Sequence, residues 1–170
     1  MKKTGLFLCL LLLSGLNMAY SQTSWKQSEF DGKTAPAFEL KDSSGKTVAL
    51  SSFAGKVIIL NFWATRCPPC LEEMPSLNAL YNAYKDKELV VIAISTDRNN
   101  DEVKEAVQAN GLEFAVLYDN NHEAKSKYNV FALPTSFIIN KEGLIADTII
   151  GGRNWMDETS KTMIEKFISN

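Results

Sequence analysis

Two apolar runs without regular polar alternation constrain the fold of this 170-residue chain more than any other feature. One is VIILNFWA at residues 57–64 and the other is LVVIAI at residues 89–94; both are rich in β-branched residues. A strand with one solvated face would alternate apolar and polar residues, so these runs predict central parallel strands buried on both faces.

Helical periodicity follows each of these runs. At residues 67–82 apolar side chains recur at helical spacing, and Pro75 lies inside this predicted helix, where it should produce a kink. A second helix is predicted at residues 101–110, because Asn99 followed three positions later by Glu102 is an N-terminal capping signature. Strands that alternate with helices indicate an α/β sheet covered on both faces.

Turn signals mark a hairpin near each end of the chain. DSSG at residues 42–45 and NKEG at residues 140–143 each separate two short strand patterns. A further strand is predicted at residues 114–118 and a short helix at residues 121–128. Asn154 is expected to cap a final amphipathic helix, in which Met156 belongs to the apolar stripe. The sheet is therefore expected to be mixed.

Composition excludes several classes of protein. The chain is 45% hydrophobic and 22% charged with a formal net charge of −2, which is typical of a globular domain. A basic patch for nucleic acid is missing, so no nucleic-acid partner is expected. Three cysteines are too few for a disulfide-rich scaffold.

The first 21 residues have the layout of a secretory signal peptide. Lys2 and Lys3 precede an apolar stretch, and small residues at Ala19 and Ser21 suit a cleavage site before Gln22. The apolar stretch has only about a dozen residues, which is short for a membrane anchor, the alternative interpretation. Cleavage leaves a domain at residues 22–170 with 16 basic and 20 acidic residues, a formal net charge of −4.

The chemistry is predicted to lie in Cys67-Pro68-Pro69-Cys70, which follows the first buried run and opens a helix. A thiol at a helix N-terminus faces unpaired N–H groups and the positive end of the dipole, so its thiolate is stabilised. The thiolate is the form that attacks disulfides. Cys67 is expected to be the exposed attacking thiol and Cys70 the buried resolving thiol, with both prolines tolerated in the first turn.

Two other interpretations of this cysteine pair have less support. Half of a zinc site needs two further ligands, and the mature chain has no other Cys and only His122. A purely structural disulfide would close a very small loop and contribute little chain entropy. Neither a metal nor a cofactor is therefore expected.

NFWATRCPPC at residues 61–70 resembles the active-site strand and turn of the thioredoxin superfamily. APAFEL at residues 35–40, LSSFAGK at residues 50–56, EMP at residues 73–75 and the secretory start narrow the resemblance to TlpA/ResA-like extracytoplasmic thiol–disulfide oxidoreductases. This resemblance covers nearly all of residues 35–168. It implies a thioredoxin-like fold with an inserted helix and strand at about residues 97–118.

The resemblance also implies roles for residues away from the cysteines. Pro134 matches the cis-proline of the superfamily, and the Leu133 backbone would then be available to an extended substrate. Plain thioredoxin has a buried Asp where this chain has Asn61, which cannot titrate. Glu73 matches an acid near the active site of the family and is the candidate proton acceptor for Cys70, unless it is simply a solvated carboxylate like Glu72.

Six residues are expected to form the substrate-binding surface around the cysteines: Trp63, Arg66, Pro68, Pro69, Leu133 and Pro134. Trp63 is also expected to pack beneath the loop. Arg66 departs from the family, which usually has Trp before the first Cys. A guanidinium there would lower the pKa of Cys67, or else it is an exposed Arg with little effect.

The function predicted from these features is reduction of disulfides in extracytoplasmic proteins, with apocytochrome c as a family-based candidate and a membrane electron donor. A peroxiredoxin-like peroxidase is the alternative, since the fold resemblance extends to that family. That family has a Thr two residues away from its peroxidatic Cys, with a Pro ahead of the Thr. Here only one residue, Arg66, separates Thr65 from Cys67, and no Pro precedes Thr65. A non-catalytic partner-binding domain is a third possibility, which the intact cysteine pair argues against.

Overall fold

The computed structural model describes residues 30–169 as one seven-stranded mixed sheet with helices on both faces. The predicted signal peptide at residues 1–21 and the polar arm at residues 22–29 lie outside the described residues. Among the described residues, no helix is long and apolar enough to cross a membrane.

The elements follow the predicted order of a hairpin, a β–α–β core with an inserted helix and strand, and a closing hairpin and helix. In chain order they are β1 (Glu39–Asp42), β2 (Thr47–Ala49), β3 (Val57–Trp63), α1 (Pro68–Tyr84), β4 (Leu89–Ser95), α2 (Asn100–Ala109), β5 (Ala115–Tyr118), α3 (Glu123–Lys127), β6 (Thr135–Ile139), β7 (Ile145–Ile150) and α4 (Glu158–Ser169).

The two apolar runs form the centre of the sheet, as predicted. The strand order is β2-β1-β5-β4-β3-β6-β7, and β3 pairs in parallel with β4 and antiparallel with β6. The inserted strand β5 pairs in parallel with β4 and antiparallel with β1, so the insertion joins the N-terminal hairpin to the sheet. The predicted mixed thioredoxin-like sheet is confirmed.

Successive residues of β3 supply two separate cores. Val57, Ile59 and Trp63 pack under α1, α2 and α4, whereas Ile58 and Phe62 pack on the opposite face, which α3 covers with the N-terminal segment. Because successive side chains of a strand point to opposite faces, a strand covered on both faces cannot alternate with polar residues. The carboxyl end of β3 is thereby held between two packed layers.

The start of the last helix differs from the sequence prediction. The side chain of Asn154 accepts a hydrogen bond from the backbone N–H of Met156, inside a turn that precedes α4. Asp157 occupies the capping position, and its carboxylate accepts the Ser160 N–H at 2.6 Å. Met156 is therefore outside the helix and partly exposed. Two residues with capping side chains lie close together here, and sequence periodicity could not separate them.

Candidate functional site

The two cysteines are joined in a disulfide at the junction of β3 and α1. The Cα atoms of Cys67 and Cys70 lie 5.3 Å apart, and Cys67 is the N-cap residue of the helix. The carbonyl oxygen of Cys67 accepts the N–H groups of Cys70 and Leu71. Pro68 and Pro69 occupy the first helical positions, where a missing N–H leaves no acceptor unsatisfied.

The two sulfur-bearing residues differ in exposure. Cys67 is half-buried, whereas Cys70 has no exposed surface and belongs to the core under α1. After reduction, an incoming disulfide can reach the first cysteine, while the second stays inside the fold. The helix N-terminus favours negative charge on a sulfur at its cap. This geometry matches the expected division between an attacking and a resolving thiol.

Glu73 is a buried carboxylate one turn of α1 beyond Cys70, and only 3% of its surface is exposed. Its Oε1 accepts the Asn61 Nδ2–H at 2.8 Å, and its Oε2 accepts the Arg153 backbone N–H and the Trp155 Nε1–H, each at 3.2 Å. Glu72 beside it is exposed. The interpretation of Glu73 as a solvated helix carboxylate is therefore wrong.

Five residues from four parts of the chain form this cluster, which we call the Glu73 network: Asn61, Glu73, Ser136, Arg153 and Trp155. Asn61 on β3 uses its second Nδ2–H to donate to Ser136 Oγ on β6 at 2.9 Å. Within the described residues, Asn61 Oδ1 is buried without a hydrogen-bond partner. The network thus ties the helix that carries the cysteines to strands β3 and β6.

Burial raises the pKa of the Glu73 carboxyl above its ordinary value, and this is the dominant influence on it. The hydrogen bonds from Asn61, Arg153 and Trp155 act in the opposite direction, as does the positive charge of Arg153. A carboxyl group with a raised pKa can accept and return a proton closer to neutral pH than an exposed Glu can. Glu73 therefore has the environment expected of a proton acceptor.

Arg153 and Trp155 are site residues that the sequence prediction missed. They lie in the loop between β7 and α4, about 80 positions from Glu73 (80 and 82 residues in sequence). The Arg153 guanidinium carbon lies 5.3 Å from the centroid of the Trp155 ring. No local spacing connects them to the cysteines; the only available signal was a Trp directly before the last amphipathic helix.

The Leu133–Pro134 peptide bond is cis, as the resemblance implied. Pro134 directly precedes β6, whose first residue Thr135 pairs with Phe62 near the end of β3. Leu133 is half-buried and packs against the same core as Cys67. The structure therefore brings the cis-proline to the end of the sheet at which the cysteine turn begins.

Arg66 extends away from the fold towards the inserted helix. Its side chain is 85% exposed, and its Nη2 lies 3.4 Å from Glu102 Oε1 on α2. Solvent screening and this acidic neighbour both weaken the effect of the guanidinium charge at Cys67. The exposure and pairing favour the expectation that Arg66 is an exposed residue with little effect on Cys67.

Asp97, a residue that the sequence prediction did not select, holds the turn before Cys67. Its carboxylate accepts the Thr65 backbone N–H at 2.9 Å and the Thr65 hydroxyl at 3.0 Å. Asp97 follows β4, so it reaches the turn because β3 and β4 end side by side. The contact anchors the turn two residues before Cys67.

Trp63 is a correction to the expected substrate-binding set. Its side chain has no exposed surface and packs in the core beneath α1. A substrate at the surface cannot contact it, so only the expectation that it packs beneath the loop agrees with the structure. Pro134 is buried as well, whereas Pro68, Pro69 and Arg66 are exposed and stay available to a partner.

A cavity of about 520 Å³ opens beside the helix that carries the cysteines. It lies between α1 and the β7–α4 loop and is lined by Pro69, Glu72, Glu73, Pro75, Ser76, Gly152, Arg153 and Asn154. Among residues 30–169, no group of three or more His, Cys, Asp or Glu residues could hold a metal ion.

Comparisons with known proteins agree with this geometry. Residues 32–148 match the AhpC/TSA family. The chain is 37% identical to thiol-disulfide oxidoreductase ResA of Bacillus anthracis, over 99% of this chain and 97% of that protein. It is 32% identical to ResA of Bacillus subtilis, over 88% and 83% of the two chains.

Solved structures show the same fold. A putative thiol:disulfide interchange protein DsbE from Chlorobium tepidum superimposes with a TM-score of 0.77 and 30% identity, over 81% of this chain and 97% of that one. StoA from Bacillus subtilis gives a TM-score of 0.65 and 26% identity, over 80% and 98% of the two chains.

A cysteine pair at the N-terminus of a helix, on a thioredoxin-like sheet, defines an enzyme that exchanges thiols and disulfides. The relatives carry the same activity in their names. The chain belongs to the AhpC/TSA family of thioredoxin-like proteins, and within it to the ResA-type thiol–disulfide oxidoreductases.

Proposed function

We propose that this protein reduces disulfide bonds of partner proteins outside the cytoplasm, cycling between a Cys67/Cys70 dithiol and the disulfide. One observation carries the proposal. A half-buried Cys67 caps α1 and is bonded to a fully buried Cys70, with a buried carboxylate one turn further along the helix. This arrangement supplies an attacking thiol, a resolving thiol and a proton acceptor.

The reaction proceeds by two exchanges. The Cys67 thiolate attacks one sulfur of the partner disulfide, which forms a mixed disulfide and releases the other partner sulfur as a thiolate. Cys70 then transfers its proton to Glu73 and attacks Cys67, which forms the intramolecular disulfide and releases the second partner thiolate. Two electrons pass from the cysteine pair to the partner, whose released thiolates take up the two protons.

The reductive direction is supported by the residues between the cysteines. Strongly oxidising relatives have a His there that stabilises the reduced thiolate, with potentials near about −120 mV against about −270 mV for thioredoxin. Here both intervening residues are proline, which stiffens the small ring in favour of the disulfide. The helix N-terminus stabilises the Cys67 thiolate and acts in the opposite direction. We expect a potential closer to that of thioredoxin.

The partner is proposed to bind at the end of the sheet where the cysteine turn and the cis-proline meet. Pro68, Pro69 and Arg66 present exposed surface around Cys67. The backbone of Leu133, next to Pro134, is proposed to pair with an extended segment of the partner. These roles are assigned from the resemblance together with the shared location.

The N-terminal pattern and the relatives support the proposed location and partners. The secretory layout of residues 1–21 supports export, with cleavage favoured over a retained anchor. A compartment that favours disulfides reoxidises the protein, so steady reduction needs an electron donor across the membrane. Apocytochrome c, whose cysteines must be reduced before haem attachment, is the proposed substrate by family analogy.

The peroxidase alternative has less support from the geometry. The Thr65 hydroxyl is engaged by the Asp97 carboxylate, and the buried Cys70 is bonded to Cys67. Consumption of hydrogen peroxide by the reduced protein at a rate above that of a free thiol would favour the peroxidase.

Equilibration of the mature protein with glutathione buffers tests the proposed direction. The expected midpoint lies near about −270 mV, and the reduced protein should cleave insulin disulfides stoichiometrically. Cys67→Ser should abolish insulin reduction, whereas Cys70→Ser should trap mixed disulfides with partners. A midpoint near about −120 mV would reverse the proposed direction.

A further inference from the structure

The loop between β7 and α4 contacts one face of α1 at three successive points. A Cβ atom on Gly152 would lie 2.9 Å from the Pro69 carbonyl oxygen, so the loop backbone approaches the first helical turn very closely. Further along, the backbone N–H of Arg153 donates to the Glu73 carboxylate, and the backbone N–H of Trp155 donates to Ser76 Oγ at 3.1 Å. Residues 69, 73 and 76 share a helix face, so the loop follows the helix from its cysteine end.

Two buried tryptophans differ in what their indole N–H groups contact. Trp63 and Trp155 both have no exposed surface. The Trp155 Nε1–H donates to Glu73 Oε2, whereas the Trp63 Nε1–H has no hydrogen-bond partner within the described part of the chain. An indole N–H can only donate, so next to a carboxyl oxygen it favours the charged carboxylate.

Within the part of the chain that the structure describes, few other groups face the Glu73 carboxylate. Asn61 from β3 is neutral and donates to Oε1, and Arg153 from the loop supplies a backbone donor and a positive charge. On α1 itself, Cys70 lies one turn away and Glu72 is exposed. Water cannot replace a bond from a fully buried indole without repacking. The Trp155 donor is therefore a fixed feature of the carboxylate's environment.

We propose that Trp155 is the positioning residue for Glu73, and that its indole N–H holds the carboxylate in the charged, proton-accepting form beside Cys70. The hydrogen bond from the Trp155 indole directs Oε2 of Glu73 towards the β7–α4 loop. It thereby fixes the orientation of the carboxylate relative to α1. This inference rests on the proposed function, in which Glu73 takes the proton of Cys70.

Nuclear magnetic resonance of the unmodified oxidised protein tests the contact without a mutation. The Trp155 indole N–H resonance should shift with pH at the same midpoint as the Glu73 side-chain carboxyl carbon. The Trp63 indole resonance serves as the internal control and should not follow that midpoint. A Trp155 resonance that does not respond when Glu73 titrates would overturn the proposal.

Trp155→Phe removes the donor and keeps an aromatic ring. Trp63→Phe is the matched control, because its buried indole has no hydrogen-bond partner among residues 30–169. In Trp155→Phe, the Glu73 carboxyl midpoint should rise by about one pH unit, a tenfold change in its protonation equilibrium. Trp63→Phe should leave the midpoint unchanged. Equal midpoints in both variants and the parent would contradict the proposal; if Trp155→Phe does not fold, the measurement on the unmodified protein decides.

The pH profile of insulin reduction separates this inference from the proposed function. Its acid limb should move to higher pH in Trp155→Phe by the same amount as the Glu73 midpoint. If the Glu73 midpoint shifts in Trp155→Phe but the acid limb does not, Trp155 still contacts Glu73, but Glu73 does not transfer the proton of Cys70. That result would also overturn the proposed role of Trp155 in the reaction.

Discussion

At the scale of single residues, the site combines one buried carboxylate with three N–H donors. An ionised group inside a core is costly unless it is hydrogen-bonded, and here the donors come from a strand, a loop backbone and an indole. Asn61 contributes an amide that donates to Glu73 but cannot take a proton. The proton-accepting role that we propose therefore belongs to a residue of the helix and not to one of β3.

Glu73→Gln should slow insulin reduction by about 10²-fold or more and leave the protein folded, because Gln keeps a polar group in the site but cannot accept a proton. The exposed neighbour Glu72→Gln is the matched control and should retain the parental rate. The measurement is the turnover rate at neutral pH together with the rate of Cys70 alkylation in the reduced protein. Unchanged values for both would assign Glu73 to a structural role.

The same variant has a predicted effect on stability. Burial raises the pKa of Glu73 above its ordinary value of 4.5, so the folded protein holds that proton more tightly than the unfolded chain. The Glu73 contribution to the free energy of unfolding is thus fully present below that value and is lost as pH rises through the folded-state pKa. Urea unfolding of the oxidised protein across acid and neutral pH should show that the stability of the parent, measured relative to Glu73→Gln, falls as pH rises, and Glu72→Gln should follow the parent.

At the scale of elements, the cysteine turn is held by the segment that follows the neighbouring parallel strand. β3 and β4 end together, with Trp63 opposite Ser95. The Thr96 N–H donates to the Trp63 carbonyl oxygen, and Asp97 accepts two bonds from Thr65. The crossover into the inserted helix α2 therefore also fixes the start of the turn that carries Cys67.

Asp97→Asn should loosen this turn, because an amide offers only one oxygen where the carboxylate accepts bonds at both. We expect a loss of about 1–3 kcal/mol in the free energy of unfolding and a changed rate of Cys67 alkylation in the reduced protein. Asp119→Asn is the matched control, since the buried Asp119 carboxylate also accepts two bonds, from the N–H groups of Ala124 and Lys125 at α3.

Asp119→Asn should therefore reduce stability without changing the alkylation rate of Cys67. If Asp97→Asn and Asp119→Asn alter stability alone, the Asp97 contact has no influence on the reactive cysteine.

At the scale of the whole molecule, the disulfide joins residues three positions apart beside one of the two cores, so it does not connect distant parts of the chain. Cys70 belongs to the core beneath α1, α2 and α4, while the opposite core is formed without either cysteine. Because the closed loop is so short, we expect the fold to keep its topology when the disulfide is reduced.

Reduction of the disulfide should lower the stability of the folded protein moderately. The chain-entropy effect of so short a loop is about 2 kcal/mol, partly offset by the stabilised Cys67 thiolate, so the melting temperature should fall by up to about 6 °C. Thermal unfolding with and without a reductant measures the difference, and the double variant Cys67→Ser, Cys70→Ser should not respond to the reductant. A reduced form that melts at the higher temperature would indicate an oxidising protein.

The sequence by itself determined the central sheet and the cysteine chemistry. Unalternating runs at residues 57–64 and 89–94 can only be buried on both faces, and two cysteines at a strand-to-helix junction define the redox site. These signals are local, because consecutive residues are enough to predict that a strand is buried and where a helix begins. The cis bond at Pro134 and the acid at Glu73 were reached through the family resemblance.

Only the tertiary structure decided which groups surround the Glu73 carboxylate and whether the Trp63 side chain is buried or exposed. Trp155 and Arg153 reach Glu73 from positions 82 and 80 residues away, because the last loop returns across the helix that carries the cysteines. Trp63 is adjacent to the cysteine turn in sequence but lies wholly in the core. Contacts between residues distant in sequence depend on how layers pack, and no spacing within one segment encodes them.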